Sequence, residues 1–140
     1  VFEAFFYDPR YRPSLTQQRM VEAGRTGRKS GRGYYRYDTE ERPAPKDDPE
    51  LLEKIWWRIT VMLINEAADA LYLRIASRDD LELAMTKGVN YPKGLLAWAD
   101  ALGIDHCLRS LALLQDEYGE ERYRPSPLLR NMVKDGGSFH

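Results

Sequence analysis

Cysteine is almost missing from this 140-residue chain: Cys107 stands alone, which excludes an internal disulfide and makes a reducing cytosol the expected home. Histidine is nearly as scarce. His106 and His140 are the only two, and neither has a second His or a Cys at metal-ligand spacing, so no metal site is expected. No apolar run approaches the roughly 20 residues that a membrane span requires. Neither sign of charge dominates. Lys and Arg number 21 against 22 Asp and Glu, a net charge of −1, so no strong field draws nucleic acid or an anionic membrane. Val1-Phe2-Glu3-Ala4 has neither an initiator Met nor the basic start of a signal peptide, and is expected to continue an upstream segment. Alternating strand patterns, a Ser-His-Asp arrangement and a Gly-x-Gly-x-x-Gly loop are all absent.

What the chain does contain is an internal repeat. Arg10-Tyr11-Arg12-Pro13-Ser14 recurs as Arg122-Tyr123-Arg124-Pro125-Ser126, an offset of 112 residues. The same offset carries Met20-Val21 onto Met132-Val133 and Gly24 onto Gly136. Residues 1–38 therefore read as the tail of a first copy whose front half is expected upstream of Val1. Residues 39–48, with Pro43, Pro45 and many charges, read as a linker. Residues 49–136 read as a nearly complete second copy, and 137–140 as a terminal extension.

Within the second copy the spacing predicts helices. Asp48 and Pro49 are suited to cap and start a long one. Leu51, Leu52, Ile55, Trp56, Ile59, Met62, Leu63, Ala67, Ala70 and Leu71 place a broad apolar face on it, out to about Ile75. Ser77 with Asp80 signals a new start and Gly88 its end. A third helix follows Pro92 and stops at Gly103. Asp105 is expected to cap a fourth that ends near Gly119, and Ser126 a fifth that ends at Gly136. Ser14, Gln17 and Gly24 frame the counterpart in the first copy. The fold class is all-α.

Gly24-Arg25-Thr26-Gly27-Arg28-Lys29-Ser30-Gly31-Arg32-Gly33-Tyr34-Tyr35 is the loudest local signal. Glycines and four basic side chains suit a phosphate-binding loop or an RNA-binding segment. It is not a P-loop, because Lys29 follows Arg28 and not Gly. The favoured reading is structural: a glycine-bent loop after a helix end, laying Tyr34 and Tyr35 on the domain. Tyr91, Pro92 and Gly94 read as a helix–helix corner, with Gly94 allowing close packing. Asp79, Asp80 and Glu82 read as first-turn acids that favour the helix dipole, and not as a metal site. Cys107 reads as buried filler beside Leu108 and Leu111. His140 is expected to be mobile at the terminus. Composition and spacing thus point to a helical interaction or substrate-wall domain without catalytic, cofactor-binding or metal-binding residues.

An ordered series of motifs carries a resemblance. Asn65-Glu66-Ala67 comes first, then Ile75-Ala76-Ser77 with Asp79 and Leu81, then Ala84-Met85-x-x-Gly88. Tyr91-Pro92-x-Gly94, Asp100-x-x-Gly103-Ile104-Asp105 and Arg122-Tyr123-x-Pro125 follow. Together with Gly27 to Tyr35, the series resembles the C-terminal domain of 3-hydroxyacyl-CoA dehydrogenases, and the tandem arrangement resembles the longer bacterial members, including those acting on 3-hydroxyadipyl-CoA in phenylacetate degradation. The resemblance implies a helical bundle of the 6-phosphogluconate dehydrogenase C-terminal-like type. It also implies NAD-dependent oxidation of a 3-hydroxyacyl-CoA by a parent enzyme, whose cofactor loop and His–Glu base lie in a Rossmann domain that this chain lacks. Expected partners are that domain, the first copy's front half, an acyl-CoA and a second subunit in a homodimer. The family's Asn-Arg pair early in the long helix falls on Trp57 and Arg58 here, and an indole has no acceptor to replace a carboxamide. The second copy therefore reads as degenerate. The competing readings are a free-standing helical adaptor, which upstream sequence would exclude, and an RNA-binding module using residues 24–37, which an RNA mobility shift would reveal.

Overall fold

A computed structural model describes residues 1–39 and 44–140; of the expected linker 39–48, residues 40–43 lie outside the described residues. The chain forms two compact units, Val1–Pro49 and Glu50–His140. Six α-helices and no strands occur among the described residues.

In the first unit a turn-rich opening places Phe2 edge-on to Tyr7 and Phe5 against Tyr11, with ring centroids 5.4 and 4.3 Å apart. Asp8 accepts from the Arg10 N–H and so starts a 3₁₀ turn at Pro9–Tyr11. Helix α1, Leu15–Glu22, begins with a complete capping box: the Gln17 N–H donates to Ser14 Oγ, and the Ser14 N–H donates to Gln17 Oε1. Gly24, at φ +68°, turns the chain out of the helix.

The second unit is built on α2, Pro49–Tyr72. It stops short of Ile75 because Arg74 adopts φ +57° and the Leu73 and Ile75 N–H groups fold back onto Asp69 and Ala70 carbonyls. Its buried face also differs from the expected one. Val61, Ile64 and Ala68 are fully buried and Ala67 nearly so, whereas Leu51, Leu52, Ile55, Trp56 and Ile59 are exposed. The sequence has apolar residues around most of the N-terminal half of α2, so periodicity alone could not choose between faces; packing against α5 selected the stripe that includes Trp57, Val61, Ile64 and Ala68.

Helix α3, Arg78–Leu83, is capped by Ser77 Oγ, which accepts from the Asp80 N–H. It widens into a π-turn, Ala84–Gly88. Helix α4, Leu95–Leu102, follows Pro92 and stops at Gly103 as expected, with Gly94 as its N-cap. Helix α5, Ile104–Tyr118, starts two residues earlier than expected: Gly103 is the cap, and Asp105 lies within the first turn, paired with Arg109 at 2.7 Å. A 3₁₀ turn, Glu121–Tyr123, leads to α6, Pro127–Asp135, which Ser126 caps and Gly136 ends at φ +68°. Leu96, Leu111 and Leu129 join Val61 and Ile64 in a single core, and each fully buried side chain of this kind contributes roughly 1.5–3 kcal/mol.

Two polar contacts lock this core. Asn65 is completely buried on α2. Its Oδ1 accepts from the Ser126 N–H at 2.7 Å and its Nδ2 donates to the Arg124 carbonyl at 2.9 Å, so one amide satisfies both sides of the repeated Arg-Pro-Ser turn. The C-terminal residues are fixed as well, contrary to the expected mobility. Asp100 accepts from the Phe139 and His140 N–H groups at 2.9 and 3.0 Å, Arg78 donates to the Phe139 carbonyl, and the Phe139 ring is buried.

Replacing Asn65 by Ala strands a buried N–H and a buried carbonyl. The expected loss is roughly 2–4 kcal/mol in urea unfolding of the 140-residue chain. Asn65→Asp keeps the acceptor for Ser126 but not the donor to Arg124, and should fall between the two; equal stability of all three chains would refute the clamp.

Candidate functional site

The position where the family resemblance puts an Asn-Arg pair lies on the first half of α2, facing α5. Trp57 fills it. The indole Nε1–H donates to Ser110 Oγ at 3.0 Å, and the ring stacks on His106 at 4.6 Å with 27° between planes. Trp57 forms a wall shared by two open grooves. One, of about 520 Å³, runs along Ile55, Arg58, Ser110, Leu113 and Tyr118; the other, of about 460 Å³, runs along Glu53, Trp56, Leu102 and His106.

Arg58, the second member of the pair, is held in an aromatic cage. Its Nε donates to the Tyr123 hydroxyl at 2.8 Å, Nη2 donates to the same oxygen, and the guanidinium lies 4.3 Å from the Tyr118 ring centre and 5.1 Å from that of Tyr123. The hydrogen bond that Arg58 donates to Tyr123 raises the Arg58 pKa above its ordinary value, against a smaller lowering from burial. This is a fixed cation that braces α2 against the Glu121–Tyr123 turn. At this place the chain offers an indole donor already in use and a guanidinium already in use, beside the stacked His106 ring.

The remaining sequence candidates separate from one another. Tyr91 packs beside Trp98 with centroids 6.0 Å apart, and its N–H donates to the Met85 carbonyl. Gly94 has a specific reason to be glycine: an added Cβ would lie 1.7 Å from Glu82 Oε2. That closeness explains Glu82, which sits outside the first turn of α3 and acts on another helix. Its carboxylate accepts from the Leu96 N–H at 2.8 Å and the Ala97 N–H at 3.4 Å, capping α4 from a distance. Nothing in local sequence signals a cap supplied from 14 residues away, nor the use of Asp100 as an anchor for the C-terminal residues. Asp79 does lie in the first turn of α3, paired with Arg78 at 2.9 Å. Among the described residues no three His, Cys, Asp or Glu side chains gather as a metal site.

The Gly24–Tyr37 loop closes on itself. The Thr26 N–H donates to Ser30 Oγ, Gly27 to the Arg32 carbonyl, Gly33 to that of Tyr35 and Tyr37 to that of Gly31. These backbone donors are spent inside the loop and do not point at an anion. Tyr34 and Tyr35 are not laid on the domain as expected but are 70% and 54% exposed, while Tyr37 takes the inner position with Arg28 over its ring.

Fold and site define a helical domain whose long helix α2 meets α5 through Trp57, Ser110 and His106. Residues 1–37 and 55–138 match the family described as 3-hydroxyacyl-CoA dehydrogenase, C-terminal domain, and the chain belongs to that family. The 3-hydroxyadipyl-CoA dehydrogenase of Escherichia coli (strain K12) is 57% identical over 74 residues, 53% of this chain and 16% of that protein. The probable 3-hydroxybutyryl-CoA dehydrogenase of Bacillus subtilis (strain 168) is 40% identical over 79 residues, 56% of this chain and 28% of that protein. The crystal structure of 3-hydroxybutyryl-CoA dehydrogenase from Escherichia coli K12 substr. MG1655 superposes with a TM-score of 0.79 at 29% identity, covering 96% of this chain and 47% of that one. The chain spans less than half the length of each of these relatives.

Cys107, beside the stacked His106, is fully buried, and burial pushes its thiol from 9.0 up to about 11. The folded state holds this proton more tightly than the unfolded state, so stability should fall as pH rises from about 9 towards about 11. Folded protein should also resist iodoacetamide at pH 8 and react on unfolding. Fast labelling of the folded chain, or a Cys107→Ala variant with the same alkaline loss, would contradict this.

Proposed function

We propose that this chain is the C-terminal helical part of an NAD-dependent 3-hydroxyacyl-CoA dehydrogenase, lining the acyl-CoA cleft and supplying a repeat or subunit interface without contributing catalytic residues. The observation that carries this reading is Trp57. The place where the family resemblance expects a carboxamide for the thioester carbonyl holds an indole whose only N–H is committed to Ser110. In this reading residues 1–38 are the tail of a first copy, 39–48 a linker, 49–136 a degenerate second copy and 137–140 an extension folded back on it. The active copy is the first, completed by sequence outside this chain.

The residues present do not fit the dinucleotide. Pyrophosphate needs backbone donors at a strand–glycine–helix turn, and the glycine loop here uses its donors internally. NAD therefore belongs to another part of the parent enzyme, and no step of the reaction is routed through these side chains. The 57% identity to a 3-hydroxyadipyl-CoA dehydrogenase favours 3-hydroxyadipyl-CoA as the parent's substrate; the place in phenylacetate degradation rests on the family resemblance, and the cytoplasmic home on the single cysteine.

The exposed face of Leu51, Leu52, Ile55, Trp56 and Ile59 supports the interface role. Its occupant in this reading is a matching helical copy, from the same parent chain or from a second subunit of a homodimer. Ile55→Glu together with Trp56→Glu should shift the parent enzyme to a smaller species in sedimentation at unchanged helix content; an unchanged sedimentation coefficient counts against the assignment.

The 140-residue chain alone should not consume NADH with acetoacetyl-CoA, whereas the parent enzyme should. Turnover by the isolated chain that is lost on His106→Ala would relocate the active site to α5.

A further inference from the structure

The Gly24–Tyr37 loop remains without a role in that reading, and its charge is not shared by the rest of the protein. Residues 1–39 carry eight basic and four acidic side chains, while residues 50–140 carry eleven basic and fourteen acidic. Five of the basic groups, Arg25, Arg28, Lys29, Arg32 and Arg36, fall between Gly24 and Tyr37, and no acid falls among them. Arg36 is paired with Asp38 at 3.0 Å, and Arg28 lies over Tyr37. Arg25, Lys29 and Arg32 are exposed and make no ion pair among the described residues. Like charges crowded into one short loop repel one another unless an anion joins them.

The loop is also a fixed frame. Hydrogen bonds between Gly27 and Arg32, Gly31 and Tyr37, and Gly33 and Tyr35 close it, and Gly27 and Gly31 hold φ of +123° and +73°, which only glycine adopts without strain. The exposed rings of Tyr34 and Tyr35 stand on this frame beside the basic side chains. Over the register that the chain covers, Gly24–Arg28 against Gly136–His140, the second copy has no Lys or Arg where the first has Arg25 and Arg28, and its Phe139 turns into the core.

We propose that this loop binds the phosphorylated adenosine end of coenzyme A, with Arg25, Lys29 and Arg32 meeting its phosphates and Tyr34 or Tyr35 stacking on its adenine. This rests on the reading of the parent as an acyl-CoA enzyme. Side chains, not backbone donors, recognise the ligand, which suits the dispersed charge of a bisphosphorylated nucleoside better than one cradled pyrophosphate. A compact ligand is favoured over an RNA strand because the patch is confined to one loop and residues 50–140 are net acidic.

The test is an amide-shift titration of the 140-residue chain with adenosine 3′,5′-bisphosphate, coenzyme A, ADP and a single-stranded uridine oligomer. The expected result is saturable shifts centred on residues 25–36, with coenzyme A and the bisphosphate binding about fivefold or more tighter than ADP, and weakening steeply with salt. Arg25→Gln, Lys29→Gln and Arg32→Gln together should weaken binding about tenfold or more at an unchanged melting temperature. Tyr34→Ala with Tyr35→Ala should weaken it further without changing the salt slope. Absence of loop shifts, unchanged affinity in the triple variant, ADP binding as tightly as the bisphosphate, or tighter binding of the oligomer would each overturn the proposal. Failure of the parent protein to oxidise any 3-hydroxyacyl-CoA would instead overturn the reading beneath it, whatever the loop binds.

Discussion

One buried carboxamide joins the two halves of the larger unit. Asn65 spans an N–H and a carbonyl two residues apart on the turn before α6, and does so from the centre of α2. A buried amide of this kind is costly to leave unpaired, so the turn can sit in only one register against the helix. From that register follow the cap of α6 by Ser126, the burial of Leu129, and the position of Tyr123, whose hydroxyl receives the Arg58 hydrogen bond. Arg58 is in turn caged next to Trp57, so the architecture around Trp57 leads back to the same clamp.

The two copies of the Arg-Pro-Ser turn solve one problem differently. Ser126 is followed three residues later by Leu129, which cannot complete a capping box, and its N–H is taken by Asn65. Ser14 is followed by Gln17, which closes the box locally. Leu129 is fully buried, whereas Gln17 is exposed. A single exchange of Gln for Leu thus goes with a change from a self-sufficient helix start to one that depends on tertiary structure.

Chemically, the second unit carries an aromatic brace between α2 and the segments that pack on it. Trp57, His106, Tyr118 and Tyr123 line α2 and α5 with rings, and Arg58 is stabilised by two of them. Such an arrangement gives rigidity to this face of the helix pair. The uncovered apolar residues on the outer face of the same helix suit contact with another helical layer.

Much of this was legible in the chain itself. Glycines and hydroxyl caps marked most helix ends because their effects are local: Ser77, Gly88, Ser126 and Gly136 act within one turn of themselves. The ordered motifs revealed the family, since they depend only on residue identity and order. Tertiary structure decided the rest. It chose which stripe of α2 to bury, because apolar residues surround that half of the helix and only the neighbouring helices distinguish them. It set Glu82 to cap α4, Asp100 to hold Phe139 and His140, and Tyr34 and Tyr35 to face outward, because each depends on groups brought together by the whole fold and none leaves a mark in local spacing.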